Sequence, residues 1–281
     1  MPPAGSEVLG LIAGEGVLPL LGARSARSAG RRLACVAFRD LADPALAECC
    51  DAILWLAPGE VVQALAFLRE HGVQQAVLLG KVAKGGLLAQ PESLQLDARA
   101  SELLEALPDL RDDTLLARVA DWLSAAGVEL LPQWSLSPEL LAGEGPLGAR
   151  APTPDQRRDI ELGVPLARAI AGLDIGQSIV LRHGAVLAVE AIEGTDAALR
   201  RGGALGPDAV AVKVARPSQD PRFDMPAIGP RTVAVLAESG IRALAFEAGA
   251  TLVLERELVA RDADAAGIAI VGVRVAAGEK A

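Results

Sequence analysis

The feature that most constrains the fold is a regular alternation, in the first half of the chain, of short apolar runs with longer helix-like segments. Val8–Ala13 is apolar throughout, as a strand buried on both faces should be. Mostly apolar runs recur at Leu33–Phe38, Ala52–Leu56, Gln75–Leu79 and Val128–Leu131. Strands separated by helical stretches predict a parallel sheet with right-handed crossover connections.

The segments between these runs carry the punctuation that is typical of helices. Pro19 suits the first turn of a helix that Gly30 can end. Further helices are predicted at Gly59–Glu70, Ser93–Leu107 and Asp112–Ala126. With the apolar runs, they predict an α/β domain of Rossmann-like type.

Proline and glycine break this pattern in the middle of the chain. Eight of these residues lie from Pro132 to Pro154, and such punctuation is typical of a domain boundary. We therefore predict a Rossmann-like N-terminal domain at residues 1–133, a linker at 134–153 and a C-terminal α/β catalytic domain at 154–281.

The second half has a different pattern. Ser178–Arg182 and Ala185–Glu190 flank His183-Gly184, which predicts a tight β-hairpin. A short helix ending at Arg201 and then a glycine-rich loop are predicted next. The other predicted elements are strands at Ala209–Val214, Ala243–Phe246, Thr251–Leu254 and Ile268–Val273, and helices at Pro154–Ala171, Pro230–Ser239 and Arg256–Ala266. A hairpin among helix-separated strands predicts a second α/β domain with a mixed sheet.

Charge and residue counts exclude several classes of protein. The chain has 281 residues, a formal net charge of −9 and no cluster of basic residues, so we expect no nucleic-acid partner. Its two histidines, His71 and His183, disfavour Ser-His-Asp hydrolases, zinc hydrolases and phosphatases that need several histidines. The three cysteines lack metal-ligand spacing, and the sequence shows neither a signal peptide nor a long apolar run. These features predict a cytoplasmic protein.

A glycine-rich turn joins the first predicted strand to the first helix. Gly14 and Gly16 in this turn allow backbone amides to approach a phosphate at the helix N-terminus. The dinucleotide fingerprint needs a third glycine where this chain has Pro19. Asp40, after the second strand, nevertheless keeps a nucleotide-sugar-binding or dinucleotide-binding oxidoreductase as an alternative.

A second glycine, in Gly80-Lys81, directly follows the fourth predicted strand. Ligands of open parallel sheets bind at the carboxyl ends of the strands. We therefore expect Gly80 and Lys81 at the same edge of the sheet as the first glycine turn, where Lys81 either binds the ligand or is a solvated surface residue.

Acidic residues end the predicted hairpin strand of the second half. In the sequence Glu193-Gly194-Thr195-Asp196, the carboxylates are suited to Mg²⁺, which prefers a few such ligands and several waters. Arg200 lies one helical turn further on and is suited to a phosphate. The structural alternative is a capped helix with a solvated face.

A long polar loop follows Lys213 and contains Asp220, Arg222 and Asp224 between prolines. Long polar loops between packed elements are often functional. Phosphoryl chemistry needs positive charge for the anionic oxygens and a carboxylate for a metal ion or a water molecule. This loop supplies both.

These motifs together resemble a known family, the UDP-2,3-diacylglucosamine pyrophosphatases of lipid A biosynthesis that are unrelated to the metallophosphatase type. The matching pieces are, in chain order, Gly10-Leu-Ile-Ala-Gly14-x-Gly16-x-Leu-Pro19, Gly80-Lys81-Val, Leu173-Asp174-Ile-Gly176-Gln177, Ala188-Val-Glu190-Ala-x-Glu193-Gly194-Thr195-Asp196, Lys213 and Asp220-x-Arg222-x-Asp224-x-Pro226-x-Ile-Gly229. They cover nearly the whole chain.

The resemblance implies a two-domain enzyme that binds its lipid substrate between the domains and hydrolyses it, with Mg²⁺, to UMP and 2,3-diacylglucosamine 1-phosphate (lipid X). The essential aspartate of the family matches Asp224. Thr195 and Lys213 match positions expected near the product phosphate, and Gln177 lies in a motif expected to bind substrate. Asp224 is either a metal ligand or the general base.

The remaining expectations concern ligands and partners. Asp220, Glu193 and Asp196 are expected to help Asp224 hold the metal ion. We expect transient contact with the surface of the inner membrane, and a homodimer is a common default for such a protein. A non-catalytic carrier of lipid or nucleotide is a third hypothesis beside hydrolase and oxidoreductase.

Overall fold

The computed structural model of the protein describes residues 7–81, 95–109 and 112–275. The chain divides into two compact units. The first comprises the chain up to Pro138 together with Asp220–Asp224, and the second comprises Glu139–Gln219 and the chain from Met225 onwards. The first unit therefore includes a short segment that is distant in sequence from the rest of it.

The first unit is built on a parallel sheet. Its strands are β1 (Val8–Ala13), β2 (Arg32–Phe38), β3 (Ala52–Leu56), β4 (Gln75–Leu79) and β5 (Glu129–Leu131). Its helices are α1 (Leu18–Ser28), α2 (Val61–Glu70), α3 (Ala98–Glu105) and α4 (Asp112–Ala125), and a 3₁₀ helix (Pro44–Glu48) precedes β3. The strand order is β3-β2-β1-β4-β5 with every pairing parallel, which confirms the Rossmann-like sheet predicted from the sequence.

Helices cover both faces of this sheet and bury it between two apolar layers. Leu11 and Ile12 are neighbours in β1, so their side chains point to opposite faces. Leu11 lies in the layer that contains Leu20 of α1. Ile12 lies in the layer that contains Leu68 of α2 and Leu123 of α4. The continuous apolar runs of the sequence follow from this burial on two sides.

The predicted boundaries of this unit hold best for buried strands. β1, β3 and β4 begin and end at the predicted residues. The helix predicted at Ser93–Leu107 is observed at Ala98–Glu105, and residues 93 and 94 lie outside the described residues. Asp97 caps this helix, because its Oδ1 accepts a hydrogen bond from the Ala100 amide at 2.8 Å.

The second unit contains a mixed sheet. Its strands are β6 (Gly145–Pro146), β7 (Ser178–Arg182), β8 (Ala185–Val189), β9 (Val210–Lys213), β10 (Ala227–Ile228), β11 (Ala243–Glu247), β12 (Leu252–Val253) and β13 (Ala269–Val273). Its helices are α5 (Pro154–Gly172), α6 (Thr195–Leu205), α7 (Pro230–Glu238) and α8 (Arg256–Ala266). The main sheet has the order β6-β13-β11-β9-β7-β8, parallel from β13 to β9 and antiparallel at both ends. It is therefore mixed, as predicted, while β10 pairs with β12 in a separate sheet.

The hairpin between β7 and β8 turns at His183-Gly184, as predicted. Both residues have positive φ, 50° and 81°, as a type I′ turn requires. The buried carboxylate of Asp159 in α5 accepts hydrogen bonds from the amides of His183, at 2.9 Å, and Gly184, at 2.7 Å. A helix side chain thus satisfies the turn's donors and ties α5 to the hairpin.

The prediction of a glycine-rich loop after Arg201 was wrong, because α6 continues through Gly202 and Gly203. A Cβ on Gly202 would lie 2.6 Å from Cβ of Val180 in β7. A Cβ on Gly203 would lie 2.0 Å from the backbone oxygen of Ser239, after α7. The two glycines allow α6 to pack this closely, and that packing offsets their low helix propensity.

The segment predicted as a linker, 134–153, is shared by the two units. Its first residues, in the 3₁₀ helix Gln133–Leu136, belong to the first unit. Residues from Glu139 onwards belong to the second, where β6 pairs with β13 and Leu147 N donates to Ile270 O at 2.9 Å. The prolines and glycines here shape an edge strand of the second unit.

Replacing Gly203 by alanine tests whether packing or helix propensity decides the stability of α6. Propensity alone predicts a gain of up to about 1 kcal/mol. Because the added Cβ would overlap the Ser239 oxygen, we expect urea denaturation to show a loss of about 1–3 kcal/mol in the free energy of unfolding.

Gly172→Ala is the matched control, since a Cβ there meets no atom within 4 Å at the end of α5. It should be neutral or stabilising. A Gly203→Ala protein that is as stable as the Gly172→Ala protein would contradict the packing argument.

Candidate functional site

The two glycine turns of the first unit meet at the carboxyl edge of its sheet, between β1 and β4. These strands are neighbours where the strand order reverses, which is where open α/β sheets bind ligands. Gly14 N donates to Leu79 O at 2.9 Å, and Glu15 and Lys81 exchange backbone hydrogen bonds of 2.8 and 2.9 Å. A Cβ on Gly14 would lie 2.5 Å from Lys81 O. A Cβ on Gly80 would lie 2.7 Å from Glu15 O, so glycine is required on both sides of this contact.

This contact brings together four residues predicted to bind ligand: Gly14, Gly16, Gly80 and Lys81. It also uses the amides of Gly14 and Glu15 within the protein. Pro19 lies in the first turn of α1, where the dinucleotide fingerprint has glycine. The geometry therefore disfavours a dinucleotide, while the exposed Lys81 side chain places a positive charge at this edge.

Three polar side chains of the second unit form a hydrogen-bonded cluster, the Glu190–Thr195–Lys213 cluster. Thr195 Oγ1 donates to Glu190 Oε1 at 2.7 Å and accepts a hydrogen bond from Lys213 Nζ at 3.1 Å. Only 7% of Glu190 and 8% of Lys213 is exposed. Buried charges are stable only when they are paired and hydrogen-bonded. The carboxylate of Glu190 and the ammonium group of Lys213 meet this requirement through Thr195, their shared hydrogen-bond partner.

The strand order explains how these residues meet. β7 lies between β8 and β9, so Ser178 at its start pairs with Lys213 and accepts a hydrogen bond from Glu190 N at 2.9 Å. Gly194, with φ of 81°, is the N-cap of α6 and makes Thr195 the first residue of that helix. Two antiparallel pairings and one glycine therefore assemble the cluster.

A polar pocket of about 210 Å³ lies beside the cluster. Its lining residues are Asp174, Ile175, Gly176, Gln177, Glu190 and Arg216. Gln177 Oε1 is buried and has no hydrogen-bond partner among the described residues, so the pocket suits a ligand that donates a hydrogen bond. Arg216 Nη1 donates to Asp174 Oδ1 at 2.7 Å. A larger cavity of about 280 Å³, at Arg150 and Arg242, contains none of the predicted site residues.

Three other residues predicted at the site form ion pairs within the second unit. These pairs are Glu193 with Arg201 at 2.5 Å, Asp196 with Arg231 at 2.8 Å and Arg200 with Glu238 at 3.5 Å. The hydrogen bond from Arg201 lowers the pKa of the Glu193 carboxyl. Each of the two predicted metal ligands here therefore already has a cationic partner.

The segment Asp220–Asp224 is a compact turn. Asp224 N donates to Asp220 O at 3.0 Å. Arg222 makes a bidentate pair with Asp220, with distances of 3.0 Å from Nε to Oδ1 and 2.7 Å from Nη2 to Oδ2. Partial burial raises the pKa of Asp220, but hydrogen bonds from the side chain and the amide of Arg222 outweigh burial and lower it. The same pair raises the pKa of Arg222.

The sequence predicts Asp224 in the second domain, whereas the structure groups its segment with the first unit. Phe223 is 7% exposed and lies in the same apolar layer as Leu68 of α2. Pro221 O accepts a hydrogen bond from Gln133 N at 2.9 Å. A buried aromatic side chain and a backbone hydrogen bond thus place the segment in the first unit, although its neighbours in sequence belong to the second.

Two contributors to the candidate site were not predicted as site residues: Glu190, which lies in a quoted family motif, and Phe223. A carboxylate that directly follows an apolar strand was the available signal for Glu190. An aromatic residue within a polar loop was the signal for Phe223, because such a side chain needs an apolar surface to pack against.

The predicted metal ligands do not form an all-protein metal centre within the described part of the chain, which has no group of three or more His, Cys, Asp or Glu side chains arranged to hold an ion. The four predicted ligands are Asp220, Asp224, Glu193 and Asp196. Mg²⁺ commonly uses only one or two carboxylates together with substrate phosphates. The residues therefore fit a Mg²⁺ ion that binds with a phosphorylated substrate.

The fold and the cluster define a two-unit α/β protein with a polar, hydrogen-bonding pocket beside a buried, charge-paired cluster. The chain belongs to the LpxI family: the family's N-terminal domain matches residues 8–149 and its C-terminal domain matches residues 143–271. A relative from Caulobacter vibrioides, UDP-2,3-diacylglucosamine pyrophosphatase LpxI, is 37% identical over 94% of this chain and 97% of its own. These matches confirm the family that the motifs predicted.

Solved structures show weaker likenesses. A leucoanthocyanidin reductase–NADPH complex from Vitis vinifera is 15% identical over 43% of this chain and 47% of its own, with a TM-score of 0.27. A biotin carboxylase complex from Campylobacter jejuni is 14% identical over 70% of this chain and 41% of its own, with a TM-score of 0.23. At these TM-scores, neither likeness bears on the fold or the function of this chain.

The Asp220–Arg222 pair should make stability depend on pH. Because the pKa of Asp220 is lowered in the folded protein, the pair stabilises above the unfolded pKa of about 3.9 and is lost as pH falls through the folded pKa. We expect Asp220→Asn to lose roughly 0.5–1 kcal/mol at pH 7, allowing for solvent screening, and little at the acid end. Urea denaturation from pH 7 to below pH 4 measures this difference.

Arg222→Gln removes the other partner and also the contact with the Phe223 ring. It should lose at least as much at pH 7 and move only part of the way towards the unsubstituted protein in acid. A loss that is equal at every pH would show that packing, and not the ion pair, is responsible.

Proposed function

We propose that this chain hydrolyses the pyrophosphate of UDP-2,3-diacylglucosamine to UMP and 2,3-diacylglucosamine 1-phosphate, lipid X, in lipid A biosynthesis. The observation that carries the proposal is the match to a named pyrophosphatase over nearly the whole of both chains. The matches to both LpxI domains and the presence of every quoted motif support it.

The polar residues of the second unit support the binding of a phosphorylated sugar. In our proposal, Lys213 Nζ and Thr195 Oγ1 bind the phosphate of the product, for which the Thr195 hydroxyl turns its one proton from Glu190 to a phosphate oxygen. Gln177 Oε1 accepts a hydrogen bond from the substrate. Before the phosphate binds, Glu190 orients Thr195 through the 2.7 Å hydrogen bond and offsets the charge of the buried ammonium group. Arg200 is a further proposed contact in this unit. In the first unit, the proposed contacts are Gly14, Gly16, Gly80 and Lys81.

Asp224 is the proposed essential carboxylate. As a general base, it would take a proton from the water that attacks phosphorus. As a metal ligand, it would hold Mg²⁺ against the pyrophosphate. Arg222, two residues from Asp224, would offset the negative charge that develops as the pyrophosphate linkage breaks.

The proposed cofactor is Mg²⁺, which would offset charge on the pyrophosphate oxygens and orient water. Asp224 is its candidate protein ligand, because this residue matches the essential aspartate of the family. Asp220, Glu193 and Asp196 each have an arginine partner at 2.5–2.8 Å, and we assign them to charge balance.

The substrate's acyl chains imply a membrane source. No helix among the described residues is long and apolar enough to cross a bilayer. Near the polar pocket, Leu173 is 71% exposed and Ile192 fully exposed, which supports transient contact with the inner-membrane surface by a cytoplasmic protein. A homodimer is the commonest symmetric assembly, and light scattering would test it here.

Release of UMP from UDP-2,3-diacylglucosamine with Mg²⁺ tests the proposed reaction. We expect turnover by the purified chain and a loss of about 10²–10⁴-fold in Asp224→Ala, because the essential carboxylate is gone. Asp208→Asn, which alters an exposed pair with Arg242, is the control and should keep full turnover.

A near-normal rate in Asp224→Ala would end that assignment. If the folded protein released no UMP, tight product binding would favour a carrier and NAD(P)H binding would favour the oxidoreductase. Hydrolysis in ¹⁸O water then identifies the phosphorus that is attacked.

Titration with Mg²⁺ tests which carboxylate holds the ion. If Asp224 is a ligand, Asp224→Asn should raise the half-saturating concentration about tenfold or more. If it is only the base, the rate falls and that concentration stays the same. Glu193→Gln and Asp196→Asn should leave the half-saturating Mg²⁺ concentration unchanged. A large increase of that concentration in either variant would show that the substituted acid is a metal ligand.

A further inference from the structure

The contacts that hold the Asp224 segment suggest a role for residues that were not predicted at the site. In the chain, Asp220–Asp224 lies between β9 and β10, which are both strands of the second unit. In space, it belongs to the first unit. Specific contacts between the segment and the first unit must therefore account for this placement.

Phe223 is the apolar anchor of the segment. It is buried in a layer that also contains Ile12 of β1, Leu68 of α2 and Leu123 of α4. Successive Cα atoms lie about 3.8 Å apart, so a fixed Phe223 confines the backbone of Asp224 to a small region. The location of the carboxylate is thus set by the core of the first unit.

Gln133 secures the same segment through its backbone and connects it to the sheet. Its N–H donates to Pro221 O at 2.9 Å, and its side-chain Nε2 donates to Leu78 O in β4 at 3.1 Å. Only 5% of Gln133 is exposed, so water competes little for these hydrogen bonds. The segment is therefore tied to the strand that leads into Gly80-Lys81.

Arg222 closes the turn over the anchor. Its guanidinium carbon lies 5.6 Å from the centre of the Phe223 ring while it pairs with Asp220. Asp121 of α4 also attracts it and contributes to its raised pKa. Arg222 thus stabilises the turn around the anchored Phe223 ring.

We infer that Phe223 is a positioning residue for Asp224 and that Gln133 supports Phe223 in this role. The core of the first unit then fixes the position of the reactive carboxylate. The catalytic part of this inference rests on the proposed function, whereas the docking of the segment does not. Misplacement of a reactive group by about 1 Å can lower a rate by about 10²-fold, so loss of the anchor should affect turnover more than binding.

The test is a series of substitutions in the full chain, Phe223→Leu, Phe223→Val and Phe223→Ala, with decreasing apolar size. We expect kcat for UMP release to fall in that order, by about 10–100-fold at alanine and little at leucine, with KM changed by less than about threefold. Hydrogen exchange at the amides of 222–224 should accelerate in the same order.

Phe67→Ala is the matched control, because Phe67 of α2 packs against the same apolar layer but lies outside the segment. It should lower thermal stability and leave kcat and exchange at 222–224 unchanged. An equal loss of kcat in Phe67→Ala, or a kcat that does not follow side-chain size, would overturn the inference. If the Phe223→Ala protein does not fold, kcat of the leucine and valine variants still shows whether the rate follows side-chain size.

Failure of the two proposals can be told apart. If the unsubstituted protein releases no UMP, the proposed function fails, and hydrogen exchange still tests the docking. If UMP is released but exchange at 222–224 does not respond to Phe223→Val, the function stands and the positioning role is refuted.

Discussion

The buried ammonium group of Lys213 sets the strongest constraint on the second unit. An unpaired charge in the interior is too costly to keep, so Lys213 needs hydrogen-bonding and charged partners. The half-buried Thr195 at the start of α6 and the buried Glu190 directly after β8 supply them. The antiparallel placement of β7 and β8 beside β9, and the positive φ of Gly194, are the conditions for that arrangement.

The pairing of Lys213 also orders residues of the proposed ligand site. Glu190 lines the polar pocket as well as holding Thr195. A Cβ on Gly176 would lie 2.1 Å from Glu190 O, so the motif before β7 can lie against the end of β8 only with glycine there. Interactions that stabilise the fold thus also orient the side chains that we propose bind the phosphate and the sugar.

Small residues allow close packing in a chain whose aromatic content is only 2%. A Cβ on Gly163 of α5 would lie 2.7 Å from Val212 in β9. A Cβ on Gly10 of β1 would lie 2.8 Å from Ala76 in β4. Against this background of small side chains, the burial of Phe223 is a large apolar contribution for one short segment, roughly 1.5–3 kcal/mol. That contribution helps to offset the conformational entropy lost when the Asp224 turn is ordered.

Features that depend on neighbouring residues could be predicted from the sequence: the limits of β1, β3 and β4, the turn at His183-Gly184 and the motifs of the family. Apolar runs and turn residues act over a few positions, so they can be recognised without the fold. Three features became apparent only in the folded chain: α6 passes through Gly202-Gly203, Glu193 and Asp196 pair with arginines, and Asp224 belongs with the first unit. Each of these depends on contacts between residues distant in sequence, where packing and charge pairing override local preference.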